Sequence, residues 1–239
     1  MVFAGSRGRE RPLTAVPWPV LAMLLLGFLA QLVWHGSQPG ASARAEELTV
    51  PPTAESLRVA GLGDALVVSR ATMLLLQAFD NQPGVSIPFS ELDYERVTQW
   101  LGTILSLDPR GQYPLLAASR VYAEVQTPDK RRHMLDFVYR QFLEDPNRRW
   151  RWLAHAAIVA KHRLKDLPLA LTYARAITDY ATGPAVPFWA RDMTVIILED
   201  MGELEAARVL IGGLLDSGTI TDEHEIRFLS KKLEDLERE

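Results

Sequence analysis

A chain of 239 residues is long enough for one sizeable domain and a further segment. The absence of cysteine excludes disulfides, thiolate metal sites, a cysteine nucleophile and sulfur-linked lipids. The net charge of −4 excludes a global field that recruits nucleic acid, and 48% hydrophobic with 23% charged side chains excludes a chain disordered throughout.

The first predicted element is a membrane span. Arg7, Arg9 and Arg11 precede the uncharged run PWPVLAMLLLGFLAQLVW, Pro17 to Trp34, which as a helix covers about 27 Å of a ~30 Å hydrocarbon core. Trp18 and Trp34 bracket it where interfacial aromatics sit, and the arginines have no basic counterpart immediately after it. The positive-inside bias therefore predicts a cytoplasmic basic N-terminus over 1–16, a transmembrane signal anchor over 17–34, a Gly/Pro/Ser/Ala-rich linker over 35–54, and an extracytoplasmic domain over 55–239. That domain is periplasmic if the source is Gram-negative. Ala43-Arg44-Ala45 before Glu46 has the small-x-small pattern of a signal-peptidase site, so release of the domain after Ala45 is the alternative.

Gly61-Leu62-Gly63-Asp64 lacks the third glycine and the preceding strand of a dinucleotide loop and predicts a helix break with an Asp cap. The following DALVVSRATMLLLQAF, Asp64 to Phe79, is too short and interrupted for a second span and predicts a buried helix holding Arg70. DNQPGVSIPFSEL, Asp80 to Leu92, is long for a connection in a helical domain and reads either as a binding loop or as a packed structural loop.

A repeat follows. Pro109, Pro146 and Pro184 stand 37 and 38 residues apart. Four residues before each is a large apolar side chain (Leu105, Phe142, Tyr180), four after each is an aromatic (Tyr113, Trp150, Phe188), and ten after each is a small residue (Ser119, Ala156, Thr194). Proline disfavours helix in the residue before it, so one helix ends at each proline and the next begins with its aromatic facing inward. Asp166 caps a helix striped by Leu167, Ala170, Leu171, Ala174 and Ile177, and Gly202 ends one helix before Ala206, Ala207, Leu210 and Leu214 stripe the next. Thr221 is placed to cap a last helix with Ile226, Leu229, Leu233 and Leu236 on one face.

Between Asp93 and Ser217 these residues resemble tetratricopeptide repeats. Gly202-Glu203-Leu204-Glu205-Ala206-Ala207 is similar to that family's turn between paired helices, Leu107-Asp108-Pro109 to its repeat ending, and Tyr122 to its first-helix aromatic. The period differs from the family's 34 residues, and the aromatic follows the proline by four residues instead of six. The resemblance implies an all-α fold, an α-solenoid of antiparallel helix pairs, working as a protein-interaction scaffold without catalysis.

The chemistry-bearing residues agree with that expectation. Of the histidines only His155 and His162 share a helix, at a spacing of seven where a one-helix zinc site needs three or four. No Gly-x-Ser-x-Gly elbow or phosphate loop occurs, and Glu199-Asp200 reads as a solvated pair at a helix end. No metal, cofactor or catalytic residue is predicted; an exported hydrolytic enzyme, the rival reading, needs a deep pocket holding a carboxylate of raised pKa.

RRWRW, Arg148 to Trp152, has the basic-aromatic interleaving of single-strand nucleic-acid binders, a partner an exported domain rarely meets. Trp150 is expected between repeats, with a partner-binding surface formed by Arg148, Arg149, Arg151, Lys161, Arg163 and Lys165 around Trp152. From 110 to 165 twelve Lys or Arg face five Asp or Glu, net +7; from 192 to 239 five face thirteen, net −8. Such polarity suits an acidic protein partner or head-to-tail pairing of copies, and solvated helix faces are the plain alternative. A membrane-embedded partner of an assembly factor is a third expectation, with Gly27 as the small residue for helix contact.

Overall fold

A computed structural model describes residues 16–37, 45–218, 220 and 222–238, and the chain divides into two compact units, Met1–Arg44 and Ala45–Glu239. The first unit contains α1, Trp18–Ser37, a helix with no buried residue that is long and apolar enough to cross a bilayer. It begins one residue after the predicted span and ends three later, where Ser37 Oγ donates to the Trp34 carbonyl at 2.8 Å. Residues 1–15 of the predicted cytoplasmic segment, and Ala43 and Arg44 of the predicted cleavage pattern, lie outside the described residues.

The second unit is helical apart from one hairpin, and its first contacts come earlier than residue 55. Glu46 N–H donates to Gln82 Oε1 at 2.7 Å while Gln82 Nε2 donates back to the Glu46 carbonyl at 3.0 Å. Trp100 Nε1 donates to the Thr49 carbonyl at 2.8 Å, and Leu48 is buried. Of the spacer expected over 35–54, residues 46–49 are therefore bound to the domain surface.

Two short helices open the fold: α2, Ala54–Ala60, and α3, Ala65–Ala78, whose Asp64 cap accepts from Val67 N–H at 3.1 Å as the sequence predicts. The connection that follows is a packed structural loop. It forms an antiparallel hairpin pairing Asn81 with Ser86 and Gln82 with Val85 and a 3₁₀ turn at Phe89–Glu91, and Ile87 and Leu92 are buried. Eight helices complete the unit: α4 (Tyr94–Leu107), α5 (Tyr113–Arg120), α6 (Pro128–Glu144), α7 (Pro146–Val159), α8 (Leu167–Tyr180), α9 (Phe188–Asp200), α10 (Leu204–Asp216) and α11 (Glu223–Arg238). Each packs on the next, and α4 also meets α6, α5 meets α7, and α7 meets α9.

Every proline boundary falls between two helices. The backbone of α4 stops at Leu107 before Pro109, α6 stops at Glu144 and Pro146 starts α7 at once, and Pro184 lies between α8 and α9. Proline suits the first helical turn, where its missing N–H costs nothing. The small residues ten positions on, Ser119, Ala156 and Thr194, are all buried, as are Leu105, Phe142 and Trp150. Three members of the pattern are not, and of these Phe188 is partly buried against the core. Tyr113 is 50% exposed, because it begins α5 and its hydroxyl accepts from Gln77 Nε2 at 2.6 Å. Tyr180 is 55% exposed, because it ends α8 while Ile177 and Ala181 hold the interior there.

Asp166 caps α8 through Leu169 N–H at 2.9 Å, as predicted. Thr221 lies outside the described residues; Asp222 Oδ1 accepts from His224 N–H at 2.8 Å and Glu225 N–H at 3.2 Å at the start of α11. The helix expected to be buried, α3, presents only Ser69, Thr72, Met73 and Leu76 inward.

Candidate functional site

The seven residues predicted to form one basic surface are spread along α7 and the π-helical turn that extends it over Ala160–Leu164. One of them is inside the protein. Arg149 is 4% exposed, and its guanidinium donates to the Gln141 carbonyl at 2.6 Å, to Gln141 Oε1 at 3.1 Å and to the Pro109 carbonyl at 3.1 Å. Burial pulls its pKa below the ordinary arginine value, partly opposed by Asp145 and Glu144, yet an arginine stays charged. It is a bolt between the end of α6 and the Pro109 turn.

Ion pairs inside the chain hold several of the others. Arg148 Nε pairs with Asp145 at 2.8 Å, Lys161 with Asp200, and Arg163 with Glu124 at 3.6 Å. Lys165 takes a left-handed backbone, φ 58°, where the π turn ends. Glu199 and Asp200, expected to be solvated, are both paired, Glu199 with Lys232 at 2.7 Å.

Arg151 and Trp152 have a different setting. The Arg151 guanidinium lies over the Trp150 ring at 5.2 Å, and Trp152 Nε1 donates to Gln112 Oε1 on the approach to α5 at 2.7 Å. Beside them runs a groove of about 330 Å³ lined by Arg120, Arg151, Trp152, His155, Ile158 and Trp189. A second, of about 250 Å³, continues between α7 and α9 past Ile158, Lys161, Trp189, Met193 and Ile196. Shared walls at Ile158 and Trp189 make them one strip across α5, α7 and α9.

The strip is apolar at its floor and cationic at one rim. Trp189 is 54% exposed, Ile158 44% and Ile196 40%, and Trp189 rests edge-on against buried Trp150, 5.5 Å between centroids. Arg120 and Arg151 have no carboxylate partner among the described residues. Burial, and then the Arg120 charge, lower the pKa of His155, so this wall of the groove is neutral at neutral pH. Glu225, the one carboxyl that burial raises among the described residues, is on α11 and lines neither groove.

Sequence reasoning missed Arg120, Ile158, Trp189 and Ile196, although a signal for two of them was present. Ile158 and Ile196 each stand twelve residues past their proline, so an apolar residue recurs at one register and emerges on one face. Arg131 was missed for the opposite reason: it is buried, donating to the carbonyls of Ala123 at 2.9 Å, Val125 at 2.5 Å and Arg163 at 3.2 Å. No protein-family model matches this chain, and neither a curated protein nor a solved structure is significantly similar to it.

Proposed function

We propose that this chain is a membrane-anchored, tetratricopeptide-like scaffold or assembly factor whose helical domain lies on the extracytoplasmic side and binds a protein partner without catalysing a reaction. The observation that carries the reading is the strip across α5, α7 and α9: adjoining half-exposed apolar side chains, with Arg120 and Arg151 at its edge lacking a carboxylate partner among the described residues. Stacked helix pairs commonly bind ligands along such an extended face. Support for the repeat architecture comes from the regular proline boundaries and from the packing of α5 on α7 and α7 on α9. Support for the membrane anchor comes from the apolar α1, and for its orientation from Arg7, Arg9 and Arg11.

The chemistry of the strip selects a segment with apolar anchors and acidic flanks. Aromatic and arginine side chains around a desolvated centre are the groups that dominate protein interfaces. The test is photocrosslinking in intact membranes from a benzophenone side chain placed at Ile158 or Ile196 of the full chain, with exposed Thr172 on α8 as the control position. Adducts specific to the two groove positions, and lost with Arg120→Glu/Arg151→Glu, are expected. Adducts that form equally well from Thr172, or that survive the charge reversal unchanged, refute the groove as the binding site.

A further inference from the structure

The polarity of α3 is inverted. Its inward side carries Ser69, whose hydroxyl donates to the Ile104 carbonyl at 3.1 Å, and Thr72 alongside Met73 and Leu76. Its outward side carries Leu66, Val67, Leu74 and Leu75, between 45% and 67% exposed. A helix at a water-facing surface has the reverse arrangement, and an exposed apolar patch of this kind marks a contact surface.

The corner between α2 and α3 points the same way. The two helices meet at 109° through Gly61-Leu62-Gly63, where Leu62 is 97% exposed with φ +52°. A left-handed backbone is unfavourable for leucine and easy for glycine or asparagine, and the Leu62 side chain is left in the open among the described residues. Val59, one turn earlier, is 78% exposed.

Three observations favour a lipid bilayer as the occupant. Only eight residues, 38–45, separate Ser37, the end of α1, from Glu46, the first residue tied to the domain, and the nine Cα–Cα steps fully extended reach at most about 32 Å. The exposed residues form a helix ridge and a corner, and they line neither groove, so the surface suits a deformable medium. Arg70 stands exposed within the apolar face without a carboxylate partner among the described residues, as a side chain that reaches from an apolar layer to lipid phosphates does. The 14 residues of α3 cover about 21 Å, short of a span by themselves, and one side of the helix packs on α4.

We infer that the α2–α3 corner is a membrane-resting surface: Val59, Leu62, Leu66, Val67, Leu74 and Leu75 enter the headgroup–acyl boundary and fix the attitude of the domain over the bilayer. This rests on α1 as a membrane span, which the test checks separately. The chain has no cysteine, so the full-length protein in phosphatidylcholine–phosphatidylglycerol proteoliposomes accepts one environment-sensitive nitrobenzoxadiazole label at a time. The labelled sites are Leu62→Cys, Leu66→Cys, Leu74→Cys, Leu26→Cys in α1, and Val209→Cys on α10, which is 69% exposed. Far-UV circular dichroism verifies that each variant is folded.

Blue-shifted emission at 62, 66 and 74, quenched by brominated lipid and unlike the water-like emission at 209, is the expected result. Emission at all three sites equal to that at 209 overturns the proposal, and so does a blue shift that brominated lipid does not quench, which means that a protein covers the face. Quenching at Leu26→Cys without quenching at the corner overturns the surface alone. Quenching at the corner without it at Leu26→Cys upholds the surface and removes the anchor, and quenching at neither removes both.

Discussion

Arg148 and Arg149 are neighbours of the same type, and replacing each with methionine should have consequences of very different size. Methionine keeps much of the apolar stem, so Arg149→Met isolates the loss of hydrogen bonds to the Gln141 and Pro109 carbonyls and to Gln141 Oε1. A hydrogen bond from a charged donor contributes about 1.5–3 kcal/mol, and an orphaned buried acceptor costs about 1–3 kcal/mol. Removing the cost of burying a guanidinium offsets part of this, leaving a net loss of about 3 kcal/mol. In a domain of this size 1 kcal/mol moves Tm by about 2–4 °C, so the drop is roughly 6–12 °C. Arg148 pairs with Asp145 in partial solvent, with side-chain exposures of 45% and 36%, and such a pair contributes about 0–1 kcal/mol. Thermal melting of the detergent-solubilised full chain, followed at 222 nm, reads both variants. Equal shifts for Arg148→Met and Arg149→Met would refute the assignment of Arg149 as an interior bolt.

Trp150 is 6% exposed, and Trp150→Ala should cost about 3–5 kcal/mol, measured as a lowered urea midpoint; a midpoint equal to wild type would place the ring outside the core. Acid titration should reveal Asp166. The Arg132 guanidinium and the Leu169 amide hold its carboxyl below the usual range, so its stabilisation is complete above the unfolded carboxylate pKa of about 3.9 and is lost as pH falls through the lower folded value. Wild type should therefore lose stability more steeply than Asp166→Asn below about pH 4 in urea titrations, and parallel curves would show that the pair contributes nothing.

Local chemistry made much of this fold legible in the sequence. Proline acts on its own residue and the one before it, which is why Pro109, Pro146 and Pro184 located helix boundaries without knowledge of neighbours. Asp64 and Asp166 cap through amides three residues away. What depends on distant partners was not legible. Arg149 is buried because carbonyls at Pro109 and Gln141 receive it, a fact invisible in RRWRW, where it looks like its neighbours. In an apolar run such as Ala65–Ala78 the few polar residues fall on both sides, Ser69 and Thr72 inward and Arg70 outward, so reading it as buried throughout could not distinguish the Ser69 side from the Leu74 side. The spacer composition over 35–54 similarly hid the contacts of Glu46, Leu48 and Thr49. In the groove, Trp152 was identified from its basic surroundings, whereas Trp189 was overshadowed by Phe188, to which the proline register pointed.

The ion pairs at the end of α9 give the C-terminal helices a separate dynamic character. In α10 only Ala207 and Ile211 are buried, and in α11 Leu229 and Leu236, whereas α4 and α8 bury long continuous faces. Beside the buried Leu229 and Leu236, two polar ties hold α11: Lys232 to Glu199 and Arg208 to the Leu236 carbonyl. Regions with few buried apolar contacts open at a fraction of the global unfolding free energy. The amides of α10 and α11 are therefore expected to exchange with solvent through a local opening that leaves α4 to α8 closed, and added salt, by screening the lysine–glutamate tie, should speed that opening while the proline-bounded helices keep their protection.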